Sequence, residues 1–227
     1  MFYNKPLIEA IIFENFDTSK TENMSSMFSN CEWLVELDVS GFDTSNVTTM
    51  EWMFNYCSRL ETIDVSGFDT SKVTNTAHMF GLCRSLKTLD VSNFDTSNVE
   101  NMSYMFYYCD KLTELNLGDF KTDKATNMDK MFAFCRILTS IDATSFNTEN
   151  VTNMDEMFYY CAALTELNLN SWNVAKLEAA NEMFMGCGAL TTIYATDWSD
   201  AVTATADRMF EGCESLVGAV KYNNKNI

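Results

Sequence analysis

Met105-Phe106-Tyr107-Tyr108-Cys109 is one copy of a skeleton, Met-Phe-x-x-Cys, that recurs down the chain at a single interval. The eight cysteines, Cys31, Cys57, Cys83, Cys109, Cys135, Cys161, Cys187 and Cys213, each follow the last by 26 residues. A Met-Phe pair precedes every one of them, from Met27-Phe28 to Met209-Phe210. A register kept this strictly makes the chain an array of equivalent supersecondary units. Such units cannot bury their apolar faces alone, so they stack into one continuous core.

Around the Met-Phe pair, Val99, Met102, Met105, Phe106 and Cys109 follow spacings of three and four, which predicts one apolar face of a short helix. Asn101 stands at its N-cap position, with Asn23, Asn75, Asn127 and Asn153 as analogues, and acidic residues such as Asp155 and Glu156 follow. A helix of about two turns is too short to be stable alone. The next stretch, Leu112-x-x-Leu115-x-Leu117-x-x-Phe120, switches to a period of two, which predicts a strand of about three to five residues. Phe94-Asp95-Thr96-Ser97-Asn98 shows the turn chemistry that leads from one strand to the next helix. Each unit therefore reads strand, turn, short helix, turn, and stacking makes the strands parallel.

The expected fold class is an α/β repeat, a solenoid with a parallel sheet on one face and short helices on the other. Residues 1–26 read as a degenerate N-terminal capping repeat, with Lys5 where the cysteine should stand. Residues 27–217 form the array, and 218–227 are its incomplete C-terminal end, after which an additional C-terminal segment is expected. The later units loosen: Ala180 and Ala206 replace the helix methionine, as Thr76 does earlier, and Trp172 and Trp198 replace the phenylalanine.

With 32 acidic against 15 basic residues and a net charge of -17, the chain lacks the clustered cations that nucleic acid or anionic lipid requires. There is no apolar run of transmembrane length, and Met1 to Asp17 does not have the pattern of a signal peptide. Equivalent cysteines in stacked units have parallel Cα–Cβ vectors, whereas a disulfide needs converging ones. They are expected to be free, buried thiols acting as small hydrophobes. No C-x-x-C occurs and His78 is the only histidine, so neither a metal site nor any other cofactor is expected.

Leu86-Lys-Thr-Leu89-Asp90-Val91-Ser92-Asn-Phe94-Asp95-Thr96-Ser97-Asn98-Val99, followed by Met102-Ser-Tyr-Met105-Phe106-Tyr-Tyr-Cys109, carries the L-x-x-L-x-L core of leucine-rich repeats. It closely resembles the 26-residue bacterial surface protein repeat of the BspA-like group, over about residues 7 to 222. That resemblance implies a non-catalytic protein, extracellular or at the bacterial cell surface, that adheres to or recognises a host or bacterial surface protein or glycan. A structural spacer that presents another domain, without a ligand of its own, is the alternative.

Two columns are candidate ligand-binding sites. Asp38, Asp64, Asp90 and Asp142, with Tyr194 in the same register, should face out of the sheet on its concave surface. Trp52, Tyr104, Tyr107 and Tyr159 fall in helix-side columns that elsewhere hold polar residues, so they are expected to be exposed and to contact a partner. Tyr56, Leu82, Tyr108, Phe134 and Tyr160 form a consistently apolar column expected to pack between coils. His78 is expected to face solvent. Catalytic residues are not expected: the carboxylates lack the contrast of environments that separates acid from base, and no glycine loop is built for phosphate.

Overall fold

The computed structural model describes residues 1–195, 198 and 204–217. The chain winds into coils of 26 residues, each lying on the one before. Three parallel strand pairs mark one side: β1 (Ala10–Ile11) with β2 (Glu36–Leu37), β3 (Thr88–Asp90) with β4 (Glu114–Asn116), and β5 (Glu166–Asn168) with β6 (Thr192–Tyr194). Partners are in register, as in Leu89 opposite Leu115 and Leu167 opposite Ile193. Among the described residues the strands are shorter and fewer than the sequence predicts, for there is one in only some of the coils. Like charges directly opposite one another weaken a pair, and the two all-aspartate steps, 38 to 64 and 64 to 90, carry no ladder. The steps from Asn116 to Asp142 and from Asp142 to Asn168 lack one too, and like charge gives no account of them.

The other side departs furthest from expectation: among the described residues there is no helix. The N–H groups of Met102, Tyr104, Phe106 and Tyr108 donate across to the carbonyls of Asn127, Asp129, Met131 and Ala133 in the next coil, at 2.8–3.0 Å. The N–H groups between them, from Met105, Tyr107 and Cys109, donate back to the carbonyls of Met102, Tyr104 and Phe106. In an α-helix every one would reach the fourth residue back and none would be left for a neighbour. Tyr104 and Tyr108 have φ of 58° and 57°, which a right-handed helix excludes. The same two columns are left-handed in each coil, among them Trp52, His78, Lys130, Glu156 and Glu182 in the first and Tyr56, Leu82, Phe134 and Tyr160 in the second. Tandem turns with left-handed corners reproduce the helical spacing of the apolar residues while leaving alternate donors for the neighbouring coil.

The predicted N-caps are corrected in the same way. Asn101 Oδ1 accepts from the Ser103 N–H at 3.0 Å, as Asn23, Asn75, Asn127 and Asn153 do two residues on, but each leads into this turn chain rather than a helix. Asn101 also lies in an unbroken row of parallel bridges, Asn23–Thr49–Asn75–Asn101–Asn127–Asn153–Ala179–Thr205. The continuous ladder of the molecule is on the side predicted to be helical.

Behind that ladder the Met-Phe-x-x-Cys motif forms the core. Phe28, Phe54, Phe80, Phe106, Phe132, Phe158 and Phe184 are fully buried and stack ring on ring at 5.4–6.0 Å. The stack runs out to Phe2 in the first coil and Phe210 near the end. The cysteines are free thiols, but they do more than fill space. Cys109 Sγ donates to the Phe80 carbonyl at 3.4 Å, and Cys57, Cys83, Cys135, Cys161, Cys187 and Cys213 repeat that bond to the phenylalanine 29 residues earlier. A second buried ladder comes from the Asp-Thr-Ser turns. The Thr44 hydroxyl donates to the Asp69 carbonyl at 2.9 Å and accepts from the Asp69 N–H at 2.7 Å, and Thr18 and Thr148 make the same pair of bonds to the next coil. The expectation for the 218–227 end lies outside the described residues.

Candidate recognition surface

The two candidate columns lie on different sides of the coil. On the strand side Asp38, Asp64, Asp90 and Asp142 are exposed, and each is tied to its own turn. Their Oδ1 atoms accept from the N–H of Ser40, Ser66, Ser92 and Thr144 at 2.9–3.1 Å, and Thr144 adds its hydroxyl at 2.6 Å. Bonds from these Ser and Thr side chains, then from their backbone N–H groups, hold the four carboxyls below the usual aspartate range. The row is therefore a set of Asx turns, and Asn116 takes the same role toward the Gly118 N–H. Tyr194 is 48% exposed at the far end of the register. Asp38 lies at the rim of a hollow of about 510 Å³ between the first two coils, lined by Ile12, Phe13, Phe16, Leu37 and Phe42.

On the turn side Trp52, Tyr104, Tyr107 and Tyr159 are half-buried rather than exposed, because the aromatic residues stack on one another along the coils. Trp52, His78 and Tyr104, one per coil, lie face to face with centroids 3.7 and 4.2 Å apart. The left-handed corner puts all three in one column. Lys130 continues it, with Nζ 5.2 Å above the Tyr104 ring, 3.0 Å from Glu156 and 3.2 Å from Asp129. His78 is not solvent-facing: burial pushes its imidazole down to about 4, and Nδ1 is buried with no hydrogen-bond partner.

A second column, Tyr108, Phe134 and Tyr160, stacks at 4.0 and 5.6 Å and ends in the 39% exposed Tyr160. Tyr107 joins the two columns edge-on, 5.1 Å from Tyr104 and 4.8 Å from Tyr108, and Tyr159 lies edge-on to Phe134 at 5.1 Å. Of the predicted residues, Trp52, Tyr104, Tyr107 and Tyr159 therefore belong to one connected cluster, and the four aspartates and Tyr194 are not part of it. The sequence did not reveal that cationic side chains cover the rings. Arg84 lies 4.7 Å over Tyr108, Arg136 lies 5.0 Å over Phe134, and Arg59 lies 3.7 Å over Trp33. The signal was present: Arg84, Asp110 and Arg136 share one column, two residues after the ring column.

Neither the buried thiols nor Lys130 is poised as a nucleophile or base at neutral pH. Burial pushes the Cys83 and Cys135 thiols up to about 12, so no thiolate forms there at neutral pH. Lys130 is held protonated by hydrogen bonds with Glu156 and Tyr104 and by the Asp129 charge, which outweigh its desolvation.

The family described as "Mycoplasma protein of unknown function, DUF285" matches residues 1–114, 83–198 and 113–223, which together span nearly the whole chain. The chain belongs to that family. Its successive matches on one chain are those of a repeat family, and the 26-residue leucine-rich repeat read in the sequence stands, as a family of coils with parallel strand pairs. No curated protein matches the chain. Among solved structures, a T. pallidum leucine-rich repeat protein is 19% identical, with 62% of this chain and 70% of that one covered and a TM-score of 0.39. A leucine-rich repeat protein from Bacteroides ovatus is 18% identical, with 92% and 64% covered and a TM-score of 0.35. The chain thus spans less than two thirds of the B. ovatus protein. A leucine-rich cell surface protein from Faecalibacterium prausnitzii is 16% identical, with 80% and 79% covered and a TM-score of 0.34.

Proposed function

We propose that the chain is a non-catalytic recognition protein of the bacterial surface or its surroundings, which binds a host or bacterial surface protein through the turn side of its middle coils. One observation carries this reading. The strand side repeats the same Asx turn from coil to coil, whereas the turn side concentrates side chains that differ from coil to coil: Trp52, His78, Tyr104, Tyr107 and Tyr160. A repeat array gains specificity where its columns vary, and Tyr, Trp and Arg are the residues that dominate binding energy at interfaces. The surface location draws on the resemblance of the 26-residue unit to bacterial surface protein repeats.

Retention of beads coated with the chain on cultured epithelial cells or on co-occurring bacteria tests it. Tyr107→Ser, Tyr159→Ser and Tyr160→Ser together should lower retention several-fold, while Asp38→Asn, Asp64→Asn and Asp90→Asn should leave it unchanged. Retention that survives the tyrosine set would overturn the turn-side reading, and retention by the wild-type chain no higher than that of bare beads would leave the array as a spacer without a ligand of its own.

A further inference from the structure

We infer that the turn-side surface takes a carboxylate-rich segment of a partner protein, seated on the paired guanidiniums of Arg84 and Arg136; this deepens the recognition reading above and rests on it. Arg84, Asp110 and Arg136 occupy equivalent positions in three successive coils, so one carboxylate stands between two guanidiniums. Arg84 Nη1 is 3.5 Å from Asp110 Oδ2, and Arg136 Nε is 3.7 Å from Asp110 Oδ1. Neither contact has the 2.7–2.9 Å length of a charge-assisted hydrogen bond, and Oδ1 is buried without a hydrogen-bond partner. Asp110 thus holds the two forks by charge without consuming their donors. The rings of Tyr108 and Phe134 lie beneath the guanidiniums at 4.7 and 5.0 Å, and both arginine side chains remain 45–46% exposed. Two cations against one anion leave an excess positive charge on a chain whose net charge is -17. Charges act over about 8 Å at physiological ionic strength, so a group seated on the forks responds to the local charge there and not only to the net charge of the chain. Planar forks with free donors are the geometry that recognises carboxylates in pairs of parallel bonds.

The rings argue against a glycan as the occupant. Stacking of a sugar needs an open ring face, and these faces are taken. Phe134 covers one face of Tyr108 and one of Tyr160, Arg84 lies over Tyr108, and a Cβ on Gly186 would stand 2.9 Å from the Tyr160 ring, so backbone closes that face. Beside these three rings the guanidinium donors are left for a ligand, and they suit acidic side chains.

The test is fluorescence anisotropy with a labelled deca-glutamate peptide and, in parallel, a labelled hyaluronan oligosaccharide, each titrated with the full chain. The peptide should bind at 50 mM salt and weaken about tenfold at 200 mM. Arg84→Ala with Arg136→Ala should weaken it at least about tenfold, and Asp110→Asn, by removing the negative charge between the forks, should tighten it several-fold. If the double arginine variant unfolds at a lower temperature, the gain in Asp110→Asn decides, since a loss of structure does not produce tighter binding. No peptide binding, equal binding by wild type and the double variant, or a preference for hyaluronan would overturn the proposal. Bead retention that is lost in the tyrosine variant and kept in the double arginine variant would remove the acidic partner and leave the recognition reading intact.

Discussion

The two sides of each coil solve the same problem differently. The strand side was expected to carry the ladder that holds the stack together, and it has short pairs between only some coils. The turn side was expected to be a row of separate helices, and it carries bridges and inter-coil hydrogen bonds from Asn23 to Thr205. A helix is self-sufficient in backbone bonds, so stacked helices hold together only by packing. The turn chain gives half of its donors to the next coil. Its left-handed corners each cost about 1–2 kcal/mol, which inter-coil bonds of about 0.5–1.5 kcal/mol each and the buried motif behind them offset. The side that binds the coils together is thus also the side whose outer residues stack in columns.

The comparison can be broken most directly in the core behind each side. Phe106→Ala, which empties a fully buried ring between Phe80 and Phe132, should cost about 3–5 kcal/mol. Leu115→Ala on β4, only partly buried, should cost about half of that or less. Urea denaturation of both variants measures the ratio, and equal losses would put the strand side on a par with the turn side.

The next effect is on pH. The native Cys83 and Cys135 thiols sit at about 12, raised by burial from the ordinary value of 9.0. Above pH 9 the unfolded chain releases those protons and the native one retains them, so stability falls as pH rises, by about 1.4 kcal/mol per unit for each thiol. The strand-side aspartates have depressed native pKa values, so their contribution is present above the ordinary aspartate range and is lost as pH falls through the depressed values. They are exposed, and water screens the effect. Urea midpoints followed from pH 3 to 11 should therefore fall much more steeply at the alkaline end.

Smaller still is the test of backbone on the strand side. Gly118 has φ of 58°, and an added Cβ would lie 2.7 Å from the Ser92 Cβ and 2.8 Å from its Cα, so Gly118→Ala should lose about 2 kcal/mol. Gly41 has nothing within 4 Å of such a Cβ, and Gly41→Ala should be neutral or gain about 0.5 kcal/mol. Thermal melts distinguish the two.

The smallest difference compares one Asx turn from each side. Asn101→Ala removes the bond to Ser103 within the continuous ladder and should cost about 1 kcal/mol. Asp90→Asn keeps an acceptor for Ser92 at an exposed turn and should leave the melting temperature unchanged. Equal shifts would mean that the ladder adds nothing to the Asn101 turn.

Much of the fold was legible because repetition multiplies a weak signal. One Met-Phe-x-x-Cys is ambiguous, but eight in register place Met105, Phe106 and Cys109 in the core, where they are. The helix was misread for a physical reason: an apolar period of three and four reports which side chains share a face and is silent about where the N–H groups point. Tyr104 and Tyr108 carry no sequence mark of a left-handed backbone, since glycine fills that column only at Gly186 and Gly212. The Thr44 column was read only as turn chemistry, because a hydroxyl bonding across 25 residues leaves no local pattern. The exposed tyrosines were misjudged in the same way. Tyr107 and Tyr159 are variable within their column, but variability does not show that an adjacent coil brings Phe134 against both.

The sequence by itself determined the 26-residue period, the core columns, the parallel stacking and the free thiols, because each follows from which side chains recur on one face. Only the tertiary structure decided that the turn side is a ladder rather than a helix, that the Cys109 thiol donates to the Phe80 carbonyl, and that Arg84 and Arg136 flank Asp110 over aromatic rings. Each of these depends on a donor reaching an adjacent coil, and a partner 25 to 29 residues away is chosen by how the coils stack, which the chemistry of a single coil does not specify.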